Sequence, residues 1–241
     1  MFFTQNLLLW AVTILTSFSL ILLSFKLFGL KGLYVFSGFA LIIANIQIAK
    51  SVDIVGMQAQ LGLILFAATF LTTDIINELY GKKEAKTAVY IGFFGMMSFL
   101  ILTQLGLWFE PNALDTGHEP MQQLFALLPR ITAGSLAAYL LSNLYDVWIF
   151  AKVREWFPKH IWVRNNASTI TSQLLDSTLF GIFGFAGAVP PEVLMQIIFS
   201  AYVFKIAAAV VDTPFVYFAK WLAQNTKIGI LLPSLEKTNT N

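Results

Sequence analysis

Seven long apolar runs dominate this chain of 241 residues and leave few folds open to it. A helix that crosses a bilayer needs about 20 mostly apolar residues. Irregular backbone and open sheet edges are excluded from lipid, because their polar groups would find no hydrogen-bond partner there. We therefore predict an all-α fold, a polytopic transmembrane helical bundle. The predicted spans are residues 7–25, 33–49, 61–78, 87–107, 124–150, 166–188 and 194–221.

The composition supports a membrane protein and excludes several other classes. The chain is 57% hydrophobic and 12% charged, whereas soluble domains carry about 25% charged residues. Cysteine is absent, so there can be no disulfide, thiolate nucleophile or cysteine-based metal site. A net charge of +2 is too small to indicate nucleic-acid binding. We predict a single transmembrane domain over residues 1–241, with a short cytoplasmic tail at 222–241.

The basic residues of the predicted loops set the orientation. Lysines and arginines follow the third and fifth runs, whereas loop 108–123 contains no lysine or arginine and its charged residues are acidic. The positive-inside rule then places the C-terminus in the cytoplasm and, with seven spans, the N-terminus outside. Lys50, on the predicted outer side, is the one mild exception to the positive-inside rule. The first run lacks a basic leader and a small-residue cleavage site, so we interpret it as a true span, added to a core of six.

The third run ends in three polar side chains that are costly to place in a membrane. Asp74, Asn77 and Glu78 have the spacing i, i+3, i+4, which puts them on one face of a helix. An ionisable group inside a bilayer costs roughly 2.5–3.5 kcal/mol and usually contacts a substrate, an ion or a partner. The alternative for Glu78 is a helix end that emerges into the cytosol, since Lys82 and Lys83 follow at once. Asp74 lies a turn deeper, which favours a functional role.

The sixth run carries the densest polar stripe. Ser168, Ser172 and Asp176 recur every four residues on one helical face, and Gln173 flanks them. Small hydroxyl residues often serve only the close packing of membrane helices. An unpaired carboxylate at this depth is too costly for packing alone, so the pattern favours a functional role for Asp176.

Other runs contribute further intramembrane polar residues. Lys205 and Asp212 are seven residues apart on one face of the seventh run, and we interpret them as a gating or structural pair. Asp176 is a candidate ion-pair partner for Lys205, because buried charges persist only when they are paired or ligand-bound. Structural roles stay open for several of these positions, such as interfacial pairing of Asp146 with Lys152. The additional polar candidates are Asn45, Asn143, Asp146 and Ser172.

The sequence shows no pattern for catalysis. His118 and His160 lie in predicted loops on opposite sides of the membrane, so they cannot share a metal ion. The chain has no HExxH motif, no phosphate-binding Walker A loop and no nucleophile elbow with a partner base. We predict no catalytic residue, no metal and no cofactor.

Four segments resemble the queuosine precursor transporter family, which is related to the vitamin-uptake group. The most specific is FLTTDIINELYGKKEA at 70–85. The others agree in order: FGLKGLY at 28–34 with IIANIQ at 42–47, then ASTITSQLLDSTLF at 167–180, and YVFKIAAAVVDTP at 202–214. The resemblance covers nearly the whole chain, and no polar position departs from the pattern.

The resemblance implies uptake of a 7-deazaguanine base, in its 7-cyano or 7-aminomethyl form or as queuine, for tRNA modification. A carboxylate can accept both adjacent donors of a guanine-like edge, and an amide can answer its carbonyl. The expected substrate-binding residues are Asp74, Asn77, Glu78, Gln173 and Asp176. Aromatic rings could stack on the flat base, and the candidates are Phe70, Phe180 and Tyr202.

Several alternatives stay open at the level of sequence. We expect a secondary transporter in a bacterial inner membrane, which binds the small-molecule base and the lipid bilayer and no nucleic acid. The chain could instead be the substrate-binding subunit of an ATP-driven vitamin-type transporter that needs an energising partner. A membrane enzyme with paired acids and a purely structural protein are the remaining alternatives. The oligomeric state, including a homo-oligomer, is left open.

Overall fold

The computed structural model describes residues 2–125 and 128–225, with side chains described for 5–125 and 133–225. Each of the seven predicted spans coincides with helical residues, and a β-hairpin and one short helix complete the fold. The elements in chain order are α1 (Phe2–Gln47), β1 (Ser51–Ile54), β2 (Met57–Gln60), α2 (Leu63–Tyr80), α3 (Lys82–Leu107), α4 (His118–Phe125), α5 (Leu128–Trp156), α6 (Ile161–Phe185) and α7 (Pro191–Asn225). Residues 222–225 of the predicted tail continue α7, and the rest of the predicted tail lies outside the described residues.

Helix α1 is a hairpin of two helices that contains the first two predicted spans. Gly29 interrupts it with φ 60° and ψ −140°, a conformation that glycine adopts at little cost. The two halves then run back along each other, so that a Cβ built on Gly32 would lie 2.4 Å from the carbonyl oxygen of Ser24. At the far end, the Asn6 amide donates to the carbonyl of Asp53 (2.9 Å). Both ends of the hairpin therefore meet at one end of the bundle.

The chain alternates between two ends of the bundle. One end holds the turns at Gly29 and Gly81 and the loop 157–160, and it is linked by a hydrogen bond from the Tyr34 hydroxyl to Glu84 (2.5 Å). This basic end is the one that the sequence predicts to be cytoplasmic. The opposite end holds the β-hairpin, the loop 108–117 and the turn 186–190. We call these the inner end and the outer end.

The structure adds a β-hairpin to the predicted all-α bundle. Strands β1 and β2 pair antiparallel, with Ser51 opposite Gln60, and Val55 and Gly56 turn between them with φ of 53° and 76°. Ile54 is buried against α2 and α7 at the outer end. Four-residue strands joined by a turn without Asn or Asp give little sequence signal, so the segment reads as a loop.

Four helices of the described part are long and apolar enough to cross a membrane. They are Gln5–Gln47, which includes both halves of the hairpin, Leu63–Tyr80, Lys82–Leu107 and Pro191–Asn225. Helices α5 and α6 are long enough, and both place many polar side chains inside the protein. Their lower apolar content therefore reflects their inward faces.

Helix α2 lies at the centre of the bundle. It packs against α1, α3, α5 and α7, and 16 of its 18 residues are buried. A surface helix in a bundle shows an apolar face and a polar face, whereas a helix surrounded by others is buried on all sides. The acidic segment that ends α2 is therefore enclosed by protein and does not emerge from it.

The junction of α1 and α2 allows a direct test of packing. We expect Gly62→Ala to destabilise the fold by roughly 2 kcal/mol, because its Cβ would lie 2.1 Å from the backbone carbonyl oxygen of Ala44. Gly95→Ala on α3 is the matched control, since nothing lies within 4 Å of the Cβ position. It should leave the stability unchanged or raise it by about 0.5–1 kcal/mol. Unfolding in detergent followed by tryptophan fluorescence measures both, and equal effects would contradict the predicted contact.

A buried polar column as the candidate functional site

Buried polar side chains from α2, α5, α6 and α7 form a continuous column along the axis of the bundle. On α6 the column is marked by the four-residue repeat Arg164, Ser168, Ser172 and Asp176, all of them buried. Twelve residues separate the first of these from the last, a rise of about 18 Å. The column has three levels, which we call outer, middle and inner.

The outer level is an ion pair between Lys205 of α7 and Asp176 of α6. The second carboxylate oxygen of Asp176 accepts a hydrogen bond from Ser142 of α5 (2.8 Å). The Lys205 ammonium also lies 5.7 Å from the centre of the Phe66 ring, within range of a cation–π contact. Two buried charges are thereby neutralised and solvated by protein groups, which is the condition for keeping them in a membrane interior.

A small cavity of about 10 Å³, room for about one water molecule, adjoins this pair. Its aromatic walls are Phe66 of α2 and Phe180 of α6, and its polar groups come from Asp176, Lys205 and Ser135. The remaining lining residues are Ile48, Leu63 and Ala138. Ile48 and Leu63 adjoin the β-hairpin, so the cavity lies toward the outer end. It combines apolar walls with a few convergent polar groups, as small-molecule sites do.

The middle level is a cluster of three fully buried carboxyl groups, which we call the acid cluster: Asp74 of α2, Asp146 of α5 and Asp212 of α7. Asp74 and Asp146 are within hydrogen-bonding range of each other, and Asp212 is close enough to interact electrostatically with both.

The acid cluster is surrounded by neutral polar side chains. Ser172 donates to Asp146 (2.7 Å), the Asn165 amide donates to Asp212 (2.7 Å), and Thr169 lies 3.5 Å from Asp74. No lysine or arginine among the described side chains forms an ion pair with any of the three acids. Like charges roughly 4 Å apart repel by about 4 kcal/mol at an effective dielectric constant of about 20. The three groups therefore cannot all be ionised at little cost.

The inner level is a charge network around Glu78. One carboxylate oxygen accepts two hydrogen bonds from the Arg164 guanidinium (3.0 and 2.5 Å), and the other pairs with Lys220 (2.9 Å). Arg164 is 1% exposed and also donates to the carbonyls of Phe157 and Pro158. This network ties α2, α6, α7 and the loop 157–160 together at the inner end.

The predicted substrate-binding residues are all buried, and the structure distributes them over the three levels. Asp176 belongs to the outer level, Asp74 to the middle level and Glu78 to the inner level. Asn77 donates to the carbonyl of Val147 on α5 (3.0 Å), which joins two helices near the inner end. Gln173 is 1% exposed, and its side-chain oxygen accepts no hydrogen bond from the described residues.

The Lys205–Asp212 pair of the sequence interpretation needs correction. The two residues do not contact each other, because seven residues separate them by about 10 Å along α7 and each meets a different neighbour on α6. Lys205 pairs with Asp176, which the sequence had offered as its candidate partner. Asp212 joins the acid cluster with Asn165.

The additional polar and stacking candidates divide into three groups. Asp146 and Ser172 contact each other in the middle level. The amides of Asn45 and Asn143 each donate to the carbonyl four residues earlier on their own helix, a local structural bond. Among the aromatic candidates, Phe180 lines the cavity, whereas Phe70 is buried outside the lining and Tyr202 is half-buried away from it.

Sequence reasoning missed four residues of the column: Phe66, Ser142, Asn165 and Lys220. It also took Arg164 for a loop residue, although its place one turn before Ser168 extends the polar stripe of α6 toward the inner end. Phe66 likewise lies two turns before Asp74 on the same face of α2. No sequence signal singles out Lys220, which reaches Glu78 only because α7 packs beside α2.

Comparison with known proteins identifies the family. A family model described as "Putative vitamin uptake transporter" matches residues 60–219. A protein of Bacillus subtilis (strain 168) named "Probable queuosine precursor transporter" is 36% identical over 218 residues, which cover 90% of this chain and 95% of that protein. The chain belongs to the queuosine precursor transporter family. The resemblance seen in its motifs is thereby confirmed.

More distant members of the queuosine precursor transporter family agree. The "Queuosine precursor transporter" of Escherichia coli (strain K12) is 25% identical over 191 residues, covering 75% of this chain and 82% of that protein. The "Probable queuosine precursor transporter" of Haemophilus influenzae is 24% identical over 153 residues, covering 62% and 63%. No solved structure matches the chain significantly. The relatives are named as transporters, so the polar column of this family member lies in a membrane transport protein.

Proposed function

We propose that this chain imports queuosine precursors across a bacterial inner membrane as a secondary transporter. The candidate substrates are 7-cyano-7-deazaguanine, 7-aminomethyl-7-deazaguanine and queuine. The observation that carries the proposal is the buried Lys205–Asp176 pair beside an aromatic-walled cavity at the outer level. The names of the relatives support the class of substrate.

The outer level is chemically complementary to a guanine-like edge. Such an edge presents a carbonyl acceptor next to two N–H donors. The Asp176 carboxylate can accept from both donors, and the neighbouring Lys205 ammonium can donate to the carbonyl. Phe66 and Phe180 offer faces on which the flat ring can stack. The charged pair can thus meet the polar groups of the recognition edge, while the two aromatic rings can cover the faces of the base.

We assign the five predicted residues to successive steps of passage. Asp176 and Gln173 make the first contacts. Asp176 lines the cavity. Gln173 lies three residues before Asp176 on α6, and its side-chain oxygen accepts no hydrogen bond from the described residues. Asp74 follows in the middle level. Asn77 and Glu78 close the path at the inner end, because Asn77 is hydrogen-bonded to α5 and Glu78 is ion-paired with Arg164 and Lys220.

The geometry supports alternating access from the outer end. The cavity lies toward the β-hairpin, while the Glu78 network seals the inner end. Pockets that hold small ligands usually have volumes of about 300 Å³ or more, so this cavity of about 10 Å³ must widen greatly to admit the base. Separation of α6 and α7 from α2 would widen it and later break the inner network.

Uptake of labelled 7-cyano-7-deazaguanine into proteoliposomes that hold only this chain tests the proposal. We expect saturable uptake that empty liposomes lack and that excess unlabelled base abolishes. Binding without uptake would overturn the secondary mechanism and favour a binding subunit that needs an energising partner. Failure to bind any of the three bases would overturn the substrate class.

A further inference from the structure

The acid cluster contains more acceptors than the described residues can satisfy. One oxygen of Asp74, one of Asp146 and the amide oxygen of Asn165 are buried and accept no hydrogen bond from the described part of the chain. All three residues are 0% exposed. The Asn165 amide nitrogen contacts Asp212, so its oxygen belongs to the same cluster. A site with this surplus of acceptors needs either a bound proton, which can serve as a hydrogen-bond donor, or a cation.

The contact between Asp74 and Asp146 indicates whether the acid cluster binds a proton or a metal cation. Two carboxyl groups within hydrogen-bonding range need a proton between them, because neither carboxylate can donate. No group of three or more His, Cys, Asp or Glu among the described residues has the geometry of a metal site. The geometry therefore favours a proton over a multivalent cation.

The charged groups described on the neighbouring elements provide no permanent counter-charge for the acid cluster. On α6 the cluster faces Asn165, Thr169 and Ser172, which are neutral. The nearest cations along α6 and α7 are already engaged, Arg164 with Glu78 and Lys205 with Asp176. The Glu78 carboxylate, one turn below Asp74 on α2, is held by two cations of its own. A proton can therefore change the charge of the cluster without breaking another ion pair.

We propose that Asp74, Asp146 and Asp212 form a proton-binding site that couples uptake of the base to the proton gradient. This inference rests on the proposed transport function and adds the driving ion to it. A proton from water at the outer end adds to one carboxylate oxygen of the cluster while the base occupies the outer level. After the inner network opens, the same O–H bond breaks and the proton enters water at the inner end.

The position of the cluster explains how proton and base are linked. Ser172 and Asp176 are one turn apart on α6, and they contact Asp146 and Lys205 respectively. Neutralising the cluster removes buried negative charge one level below the base, which lowers the cost of moving α6 and α7 together. Since the 7-cyano base is uncharged, each cycle carries one positive charge inward.

The test compares net accumulation with exchange in proteoliposomes that hold the full chain. For Asp146→Asn and Asp212→Asn we expect accumulation of labelled 7-cyano-7-deazaguanine driven by an inward proton gradient to fall at least tenfold. Exchange of internal for external base should persist, because exchange requires only the protonated, base-bound protein. The neutral amide of asparagine resembles the protonated carboxyl group of that state. Two independent variants guard against a folding defect in one of them. The matched control is Asp53→Asn, an exposed acid on the β-hairpin, which should accumulate base as the native chain does.

The possible outcomes separate this proposal from the transport function itself. Gradient-driven accumulation in both variants, or a native chain that accumulates base with a sodium gradient and ignores the proton gradient, would overturn the proton site. Loss of exchange together with accumulation in both folded variants would also overturn it and assign the cluster to base binding. A native chain that neither binds nor exchanges base would overturn the transport function.

Discussion

Asp176→Asn is expected to weaken binding of 7-cyano-7-deazaguanine by roughly 30-fold or more. The substitution removes the charged acceptor of two adjacent N–H donors, and loss of one partner of a buried charged contact costs about 2–5 kcal/mol. It also leaves the Lys205 ammonium buried without its carboxylate, although the Phe66 ring remains beside it. Binding of labelled base to the purified protein in detergent measures the effect.

A double variant separates recognition from folding in this experiment. Asp176→Asn alone should lower the stability by about 3 kcal/mol, because it leaves a buried cation unpaired. Asp176→Asn with Lys205→Gln removes both charges, so it should recover part of that stability without recovering affinity. Asp53→Asn serves again as the matched control. Affinity at the native level in the folded double variant would remove the pair from recognition.

Glu78→Gln is expected to have the largest effect on stability, a loss of roughly 3–5 kcal/mol. The carboxylate holds Arg164, whose side chain is 1% exposed, and removing one partner of a buried ion pair leaves an uncompensated charge. Lys220→Gln should cost about 1 kcal/mol or less, because the Lys220 side chain is 32% exposed and water can replace it. Unfolding in detergent followed by tryptophan fluorescence gives both values.

The matched control for Glu78 is Glu155→Gln, which removes the partner of Lys152 in an exposed ion pair near the same end. An exposed pair contributes about 0–1 kcal/mol, so this variant should unfold almost as the native protein does. Equal losses for Glu78→Gln and Glu155→Gln would contradict a buried network at the inner end.

Because the chain has no cysteine, a single introduced thiol can report whether Glu78→Gln opens the inner end. A single Ser168→Cys substitution, at a buried position one turn above Arg164, gives a unique thiol. A membrane-impermeant maleimide applied from the inner side should label it faster when Glu78→Gln opens the network. An unchanged labelling rate in the folded protein would show that this network does not close the inner end.

Much of the site could be predicted from the cost of polar groups in a membrane. That cost singled out Asp74, Asp146, Asp176 and Asp212 from their positions in apolar runs, and the structure buries all four. Helical spacing also placed Ser172 and Asp176 correctly on one face of α6. Helical spacing describes one helix at a time, however, and cannot say which face meets which neighbour.

The partners of the charged residues were therefore beyond the reach of the sequence. Lys205 and Asp212 share a face of α7, yet they meet Asp176 and Asn165, which lie on different turns of α6. Arg164 has the sequence context of a loop cation, but α6 packs beside α5 and α7, which both flank α2, and its long side chain reaches Glu78. The β-hairpin was missed because two four-residue strands acquire their stability from contacts with α2 and α7.

The sequence by itself determined that this protein is a helical membrane bundle, to which family it belongs and which polar residues must be enclosed. Those conclusions follow from apolar length, local spacing and motif, all of which are properties of consecutive residues. Only the tertiary structure divided the buried acids into an ion pair, a cation-free cluster and a closing network. That division depends on distances between helices, because a carboxylate's charge and role are set by the groups that packing brings within a few ångströms of it.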